Sequence, residues 1–135
     1  PVHRVVTTRT ELALPDARVA DVERDGDCVR VRFEQFFLYV ALSGSAQETR
    51  WRQAGTLVFE QAEVSGQAPQ DGVLAGGDVI DNAYIYRDRI PLPLDSRGRV
   101  GCVLHFRDGG EPLEIHATRV RLEPSGERRY VEHVT

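Results

Sequence analysis

The side chains best able to do chemistry in this chain are few and scattered. His105, Glu114 and His116 bring two imidazoles and a carboxylate together in the spacing His-x8-Glu-x-His. If Leu104 and Ile115 face a core from neighbouring strands, these three share the opposite face, and such a donor set suits zinc or another divalent ion. The spacing matches no metal signature, however, and solvated strand faces commonly carry these residues. No metal and no other cofactor is therefore expected. His3 and His133, close to the two ends of the sequence, add nothing to the set.

Nucleophiles and acids are no more specific. Cys28 and Cys102 belong to no Cys-x-x-Cys pair and sit in no activating context, so they read as two free thiols. Ser43-Gly44-Ser45 is not a Gly-x-Ser-x-Gly elbow. The 21 acidic residues are spread along the chain, and no pair stands out for glycosidase work. Gly76-Gly77 precedes a strand-like segment rather than a helix, and there is no phosphate-binding Gly-x-x-x-x-Gly-Lys-Ser/Thr loop.

Arginine gives the stronger pattern. Arg30/Arg32, Arg50/Arg52, Arg87/Arg89, Arg97/Arg99 and Arg119/Arg121 are each spaced i, i+2, which in a strand puts both guanidinium groups on one face. Most of these pairs read as a solvated sheet face shared with Asp21, Glu34, Glu60 and Glu63. Arg87/Arg89 differ, because they follow a long Gly-rich stretch and lie beside Tyr84 and Tyr86, just before Pro91 and Pro93. Tyrosine and arginine supply contact area and hydrogen bonds at binding surfaces. Asn82, Tyr84, Tyr86, Arg87 and Arg89 are therefore the expected ligand-binding residues, for a small anionic ligand or a protein partner.

The elements that must position them are strands. In Cys28–Glu34, Val29, Val31 and Phe33 alternate with Arg30, Arg32 and Glu34, the period of a half-buried strand. From Phe36 to Leu42 both faces turn apolar, as expected where a strand passes a corner between two sheets. Asp25-Gly26 predicts a tight hairpin turn, with residues 17–24 as the partner strand. That turn pairs Val22 with Val29, Ala20 with Val31 and Arg18 with Phe33, and sets Asp21 opposite Arg30 and Glu23 opposite Cys28.

Elsewhere, Pro15-Asp16 reads as a turn, and 43–50 as a loop, with a helix over 45–54 as the alternative. A strand follows over 56–64, with a change of phase near Phe59–Glu60. Residues 65–81 read as one long loop, and 80–90 as a strand. Pro91 and Pro93 exclude a central strand there. Asp95-Ser96-Arg97-Gly98 reads as a turn. Residues 100–106 and 113–122 form a second hairpin across Asp108-Gly109-Gly110, with a phase slip at Thr118–Arg119. Pro124-Ser125-Gly126 then turns into a last short strand over 130–134.

About eight short strands with turn signals every 8–12 residues predict an all-β, antiparallel β-sandwich, with a jelly roll as one form of it and a closed β-barrel as the alternative. The 135 residues read as a single domain, with 1–10 as a short strand or loose N-terminal arm.

Composition narrows the class of partner. All 17 basic residues are arginine, methionine is absent, and Asn82 is the single asparagine. That bias fits the codon usage of a GC-rich, bacterial genome more than nucleic-acid binding. The net charge of −4 and pI near 5.6 argue against both nucleic acid and membrane surfaces as partners. No run of 18 apolar residues and no secretory h-region is present, so a soluble, cytoplasmic protein is expected. The reading is a non-enzymatic binding or protein-interaction module, with homo-oligomerisation as one mode of action. The alternative is a small enzyme with a metal or carboxylate site in a β-cleft.

Overall fold

The computed structural model describes residues 8–42 and 44–134. Nine strands run through them: β1 (Thr8–Asp25), β2 (Cys28–Leu42), β3 (Glu48–Glu60), β4 (Glu63–Ser65), β5 (Leu74–Asp81), β6 (Tyr84–Arg87), β7 (Arg89–Pro91), β8 (Asp95–Phe106) and β9 (Leu113–Val134). All pairings are antiparallel, and the strands form one sheet in the order β6-β5-β8-β9-β3-β2-β1-β7, with β4 added beside β9. The all-β antiparallel expectation is met. Two separate sheets are not seen among the described residues, and the path is not closed into a barrel. No described residue is helical, so 45–54 is not a helix.

Five strands have 12 residues or more, where short strands were expected. The difference arises because several turn signals are bulges inside longer strands. Pro15-Asp16 lies where four residues of β1, Leu14 to Ala17, face the single Phe36 of β2. Asp16 has φ +70° there, and Pro15, lacking an N–H, is tolerated because the ladder is already broken. Gly98 marks a bulge in β8, with Gly98 and Arg99 opposite Thr118 alone. This is the phase slip expected at Thr118–Arg119, with the extra residue on the other strand. Pro124 and Ser125 pair in register with Gly55 and Ala54, and the chain bulges after them at Gly126–Arg128, opposite Gln53 alone, rather than turning. The phase change after Phe59 is the break between β3 and β4, where Gln61 takes φ +50°.

The first hairpin forms with a register two residues from the expected one. Asp25 pairs with Cys28 and Val22 with Val31, so the turn residues are Gly26-Asp27. Gly26 has φ +62° and Asp27 does not, as in a type II′ turn, whereas Asp25-Gly26 would have needed positive φ at both. A shift of two keeps the side chains from Asp21 to Arg24 on their faces, and Val29 and Val31 are buried as expected. A further irregularity between Val19 and Asp21 buries Val19 and leaves Ala20, expected opposite Val31 in the core, exposed. The β8–β9 hairpin forms across Asp108-Gly109-Gly110, with Leu104 opposite Leu113 and both buried.

Residues 65–81 are not one loop. Ser65 ends β4 and Leu74 begins β5, which leaves a loop of 66–73. Gly76 and Gly77 lie inside β5 because its neighbours crowd it: a Cβ on Gly77 would come 2.6 Å from the Val103 carbonyl oxygen and 3.2 Å from Leu14 Cδ1. Of the expected N-terminal arm, Thr8 to Thr10 belong to β1, while 1–7 lie outside the described residues, as do Ser43 and Thr135.

The core draws on nearly every strand, including Leu14, Val31, Phe36, Phe59, Leu74, Leu104 and Ile115. The sheet curls around it, bringing β1 beside β5. Val19 N–H donates to the Gly72 carbonyl at 2.8 Å, and Leu14 N–H to that of Asp88 at 2.8 Å. β2 bulges at Glu34-Gln35, as the loss of alternation predicts. The doubly apolar run beyond it sends Phe36 and Leu38 into the core. Its other face is covered by arginine rather than by a second sheet: the Arg50 guanidinium sits 3.8 Å from the Phe37 centroid, and that of Arg89 sits 3.8 Å from the Tyr39 centroid.

Candidate functional site

The expected binding residues fall on the β5–β6 hairpin and on β7. A two-residue connection, Asn82-Ala83, joins Asp81 to Tyr84. Asn82 adopts φ +56°, which asparagine tolerates better than most side chains. Its amide is fully engaged by the neighbouring strand. Arg99 N–H donates to Oδ1 at 3.0 Å, while Nδ2 donates to the Arg97 carbonyl at 2.9 Å and to Asp81 Oδ1 at 3.0 Å. Ser96 Oγ donates to the other Asp81 carboxylate oxygen at 2.9 Å. Asn82 therefore pins the hairpin to the Gly98 bulge and offers no free group to a ligand.

Tyr84 and Tyr86 do share a face, as expected. Their rings stack at 6.2 Å with 14° between planes. Tyr86 packs against the core cluster, while Tyr84 is 67% exposed. Ile85, on the opposite face, is 64% exposed.

Arg87 and Arg89 are not brought together. The i, i+2 rule requires a continuous strand, and Asp88 breaks it with φ +65°. Its N–H bonds the Gly77 carbonyl on β5, its carbonyl accepts from Leu14 on β1, and its carboxylate accepts from Gly77 N–H at 3.0 Å. Arg87 thus ends β6 beside β5, whereas Arg89 begins β7 beside β1. Arg87 Nε donates to Asp78 Oδ1 at 3.1 Å, and this hydrogen bond, with the charge of Asp78, raises the arginine pKa above its ordinary value. Arg89 Nη1 reaches Glu48 at 3.0 Å and Glu11 at 3.5 Å. Burial opposes the Arg89 charge, but the hydrogen bond it donates to Glu48 and the charges of both glutamates outweigh it, so its pKa too is raised.

Four of the other paired arginines, Arg32, Arg50, Arg119 and Arg121, are similarly engaged. Arg32 donates to Glu23 at 2.8 Å and lies 3.7 Å from Asp21. Arg119 and Arg121 share Glu60, and Arg119 also holds Asp95 at 3.1 Å. The hydrogen bond from Arg119 keeps the Asp95 carboxyl below the usual range against the small opposing effect of burial.

The histidines do not converge. His116 pairs with Gly101 on β8, and His105 lies four residues further along that strand, roughly 13 Å away at about 3.3 Å per residue. Among the described residues no group of three His, Cys, Asp or Glu side chains could hold a metal ion. Burial pushes the Cys102 thiol up to about 12, only partly offset by a backbone hydrogen bond near Ile115, which makes it a poor nucleophile. Cys28 and Cys102 stand unbridged, on strands that are not neighbours.

What remains is the β6 edge. β6 ends the strand path, and among the described residues only β5 pairs with it. With Asp81 opposite Tyr84 across a two-residue turn, the backbone groups of Tyr84 and Tyr86 point to β5, and those of Ile85 and Arg87 point outward. Ile85 is the residue that sequence reasoning passed over. Its signal is present in Tyr-Ile-Tyr-Arg, an alternation with an apolar residue on both faces, next to a tight turn.

No family model, curated protein or solved structure matches the chain. Among the described residues no helix is long and apolar enough to cross a membrane.

Proposed function

We propose that this chain is a non-enzymatic interaction module whose docking element is the outer edge of β6. One observation carries the reading: Tyr84 and Ile85 present apolar surface on both faces of a strand whose outer backbone groups have no partner among the described residues. Edge strands are ordinarily blunted by charge, proline or shortness. The other open edges among the described residues follow that rule: β7 carries Arg89 and Pro91, β4 carries Glu63, and β1 beyond Ala20 carries Asp21, Glu23 and Arg24. β9 beyond its pairing with β8, although it exposes Tyr130 and Val131, carries Glu127, Arg128, Arg129 and Glu132. β6 has shortness and a single charge, Arg87, already bound to Asp78. Such an edge suits strand addition, in which main-chain hydrogen bonds supply affinity and alternate side chains supply selectivity.

A protein partner fits these residues better than a small anion. An anion at Arg87 and Arg89 would have to displace Asp78 from one and Glu48 from the other. The inert Cys102 and the separated His105 and His116 support the non-enzymatic reading.

The test is selection of extended peptides from a displayed library on immobilised protein, repeated on Ile85→Pro. The Ile85 N–H points away from β5, so proline there spares the hairpin while blocking the edge. Peptides that bind the wild-type chain at least tenfold better than Ile85→Pro support the reading. Failure to select any, or equal binding to both, overturns it. A parallel thermal-shift screen of anionic metabolites covers the small-ligand alternative, which a shift abolished by Arg87→Gln would favour.

A further inference from the structure

We infer that the strand this edge accepts is its own counterpart in a second copy of the chain, paired antiparallel about a two-fold axis through Ile85. The inference rests on the interaction reading above and names the partner. In a two-fold pair of identical strands, the axis keeps each residue on its own face, so directly opposed residues must be separated by an even number of positions. One register that meets this condition sets Ile85 opposite Ile85 of the second copy.

Three features of β6 favour that register. The Ile85 N–H and carbonyl both point outward, so the two copies exchange a reciprocal pair of hydrogen bonds at the centre. Tyr84 falls opposite Tyr86 of the second copy and Tyr86 opposite its Tyr84. The stacked tyrosine pair of each chain then lies against that of the other in a four-ring cluster, and cross-strand aromatic pairs are among the favourable ones. Arg87 falls opposite Ala83 of the second copy, so the one charge on the strand never meets itself. Within β6 the register pairs Tyr84, Ile85 and Tyr86, whereas a shift of two places sets Tyr84 against Asp88 in one direction or Ile85 against the turn residue Ala83 in the other. Asn82 and Asp78 hold the hairpin in place beforehand, which lowers the ordering needed on association.

The contact is small. Four residues per copy place it at the low end of interface sizes, well under about 800 Å² per partner, so a reversible, concentration-dependent dimer is expected rather than a permanent one.

The experiment has two parts. Sedimentation velocity over a hundredfold concentration range should show the wild-type mass rising from the 15.1 kDa monomer towards twice that value, and Ile85→Pro should stay monomeric with an unchanged circular dichroism spectrum. Ile85→Lys, which keeps the backbone donors but removes the apolar contact, should weaken the rise. Register is read by oxidation of variants with one accessible cysteine each, in a Cys28→Ser background that keeps the buried Cys102. Ile85→Cys should give a disulfide-linked dimer, because directly opposed residues lie about 5.5 Å apart between Cα atoms. Tyr84→Cys should not, because its own counterpart sits two places away, beyond the roughly 7 Å limit for bridging. A monomer at every concentration overturns the self-pairing. If Ile85-dependent peptide binding then persists, the edge reading stands with a different partner. If that binding is also absent, both readings fall. Dimerisation unaffected by Ile85→Pro, or cross-linking at Tyr84→Cys instead of Ile85→Cys, overturns the interface or its register.

Discussion

The Arg89 guanidinium lies 3.8 Å from the centroid of the Tyr39 ring, while its Nη1 holds Glu48 at 3.0 Å. Ring and carboxylate together fix an arginine that its sequence neighbours marked for ligand binding. Tyr39 sits between Glu11 on β1 and Arg50 on β3, on the outer face of the sheet. Arg50 does the same for Phe37 one row away. Two aromatic rings that would otherwise face water are covered by planar cations, which stack well on aromatic faces.

Removing that cover should cost stability. Tyr39→Leu keeps apolar bulk and loses the ring face, and should lower the unfolding free energy by about 0.5–1 kcal/mol. Arg89→Gln should cost more than Tyr39→Leu, because Glu11 and Glu48 then face each other without the shared cation. Arg32→Gln, on an exposed pair with Glu23, should cost the least of the three, and less still in salt. Urea denaturation of the three variants checks the order; Arg89→Gln behaving like Arg32→Gln would contradict it.

Gly26 tests the first turn. Its φ is +62°, and a Cβ built there meets nothing within 4 Å, so any loss on substitution is backbone strain alone. Gly26→Val should cost about 1–3 kcal/mol, and Gly26→Asn distinctly less, since asparagine tolerates positive φ. Equal melting temperatures for the two would argue against the turn as described.

Gly101 fails for a different reason. Its φ is not in the positive range, but an added Cβ would run into the carbonyl oxygen of Ile115 on the paired strand. Gly101→Ala should therefore destabilise through overpacking, by about 1–3 kcal/mol, or prevent folding. A soluble Gly101→Ala protein with a wild-type melting temperature would mean that β8 and β9 pair differently there.

The thiols give a labelling and a pH prediction. Cys28 is partly exposed and Cys102 buried, so a maleimide should modify one site in the native protein and two in denaturant. The Cys102 pKa is raised to about 12, which means the thiol ionises first in the unfolded chain. Its contribution to stability is complete below the unfolded pKa near 9 and is lost as pH rises from there towards 12. Wild type should lose stability over that window faster than Cys102→Ala, by up to about 1 kcal/mol per pH unit. Parallel curves for the two proteins would show the thiol to be accessible.

The parts of the fold legible in the sequence were those set by neighbours along the chain. The β8–β9 hairpin needs only alternation on either side of Asp108-Gly109-Gly110, and both signals are local. The residues of the β1–β2 hairpin next to the turn were placed on their correct faces even with the register displaced by two, because side-chain direction repeats every two residues. The irregularity between Val19 and Asp21, however, put Val19 rather than Ala20 in the core. The breaks in alternation at Gln35, Phe59 and Thr118 marked real irregularities. Local pattern could not say whether such a signal ends a strand or bends it. Pro15-Asp16 and Asp95–Gly98 read as turns and proved to belong to strands paired with segments distant in sequence.

The candidate site divides in the same way. Tyr84 and Tyr86 share a face because period-2 geometry requires it, and the sequence alone established that. The separation of Arg87 from Arg89 did not follow from their spacing. It depends on Asp88, whose backbone joins β5 to β1 and whose carboxylate receives Gly77 N–H, contacts spanning 11 residues in one direction and 74 in the other. Gly77 likewise reads as a loop residue until Val103 and Leu14 are seen to leave no room for a Cβ. The sequence by itself determined that this chain is antiparallel β-structure and which side chains share a strand face, because both follow from backbone geometry over a few residues. Only the tertiary structure decided which strands become edges and which charges find partners, because those depend on segments that meet in space after being far apart along the chain.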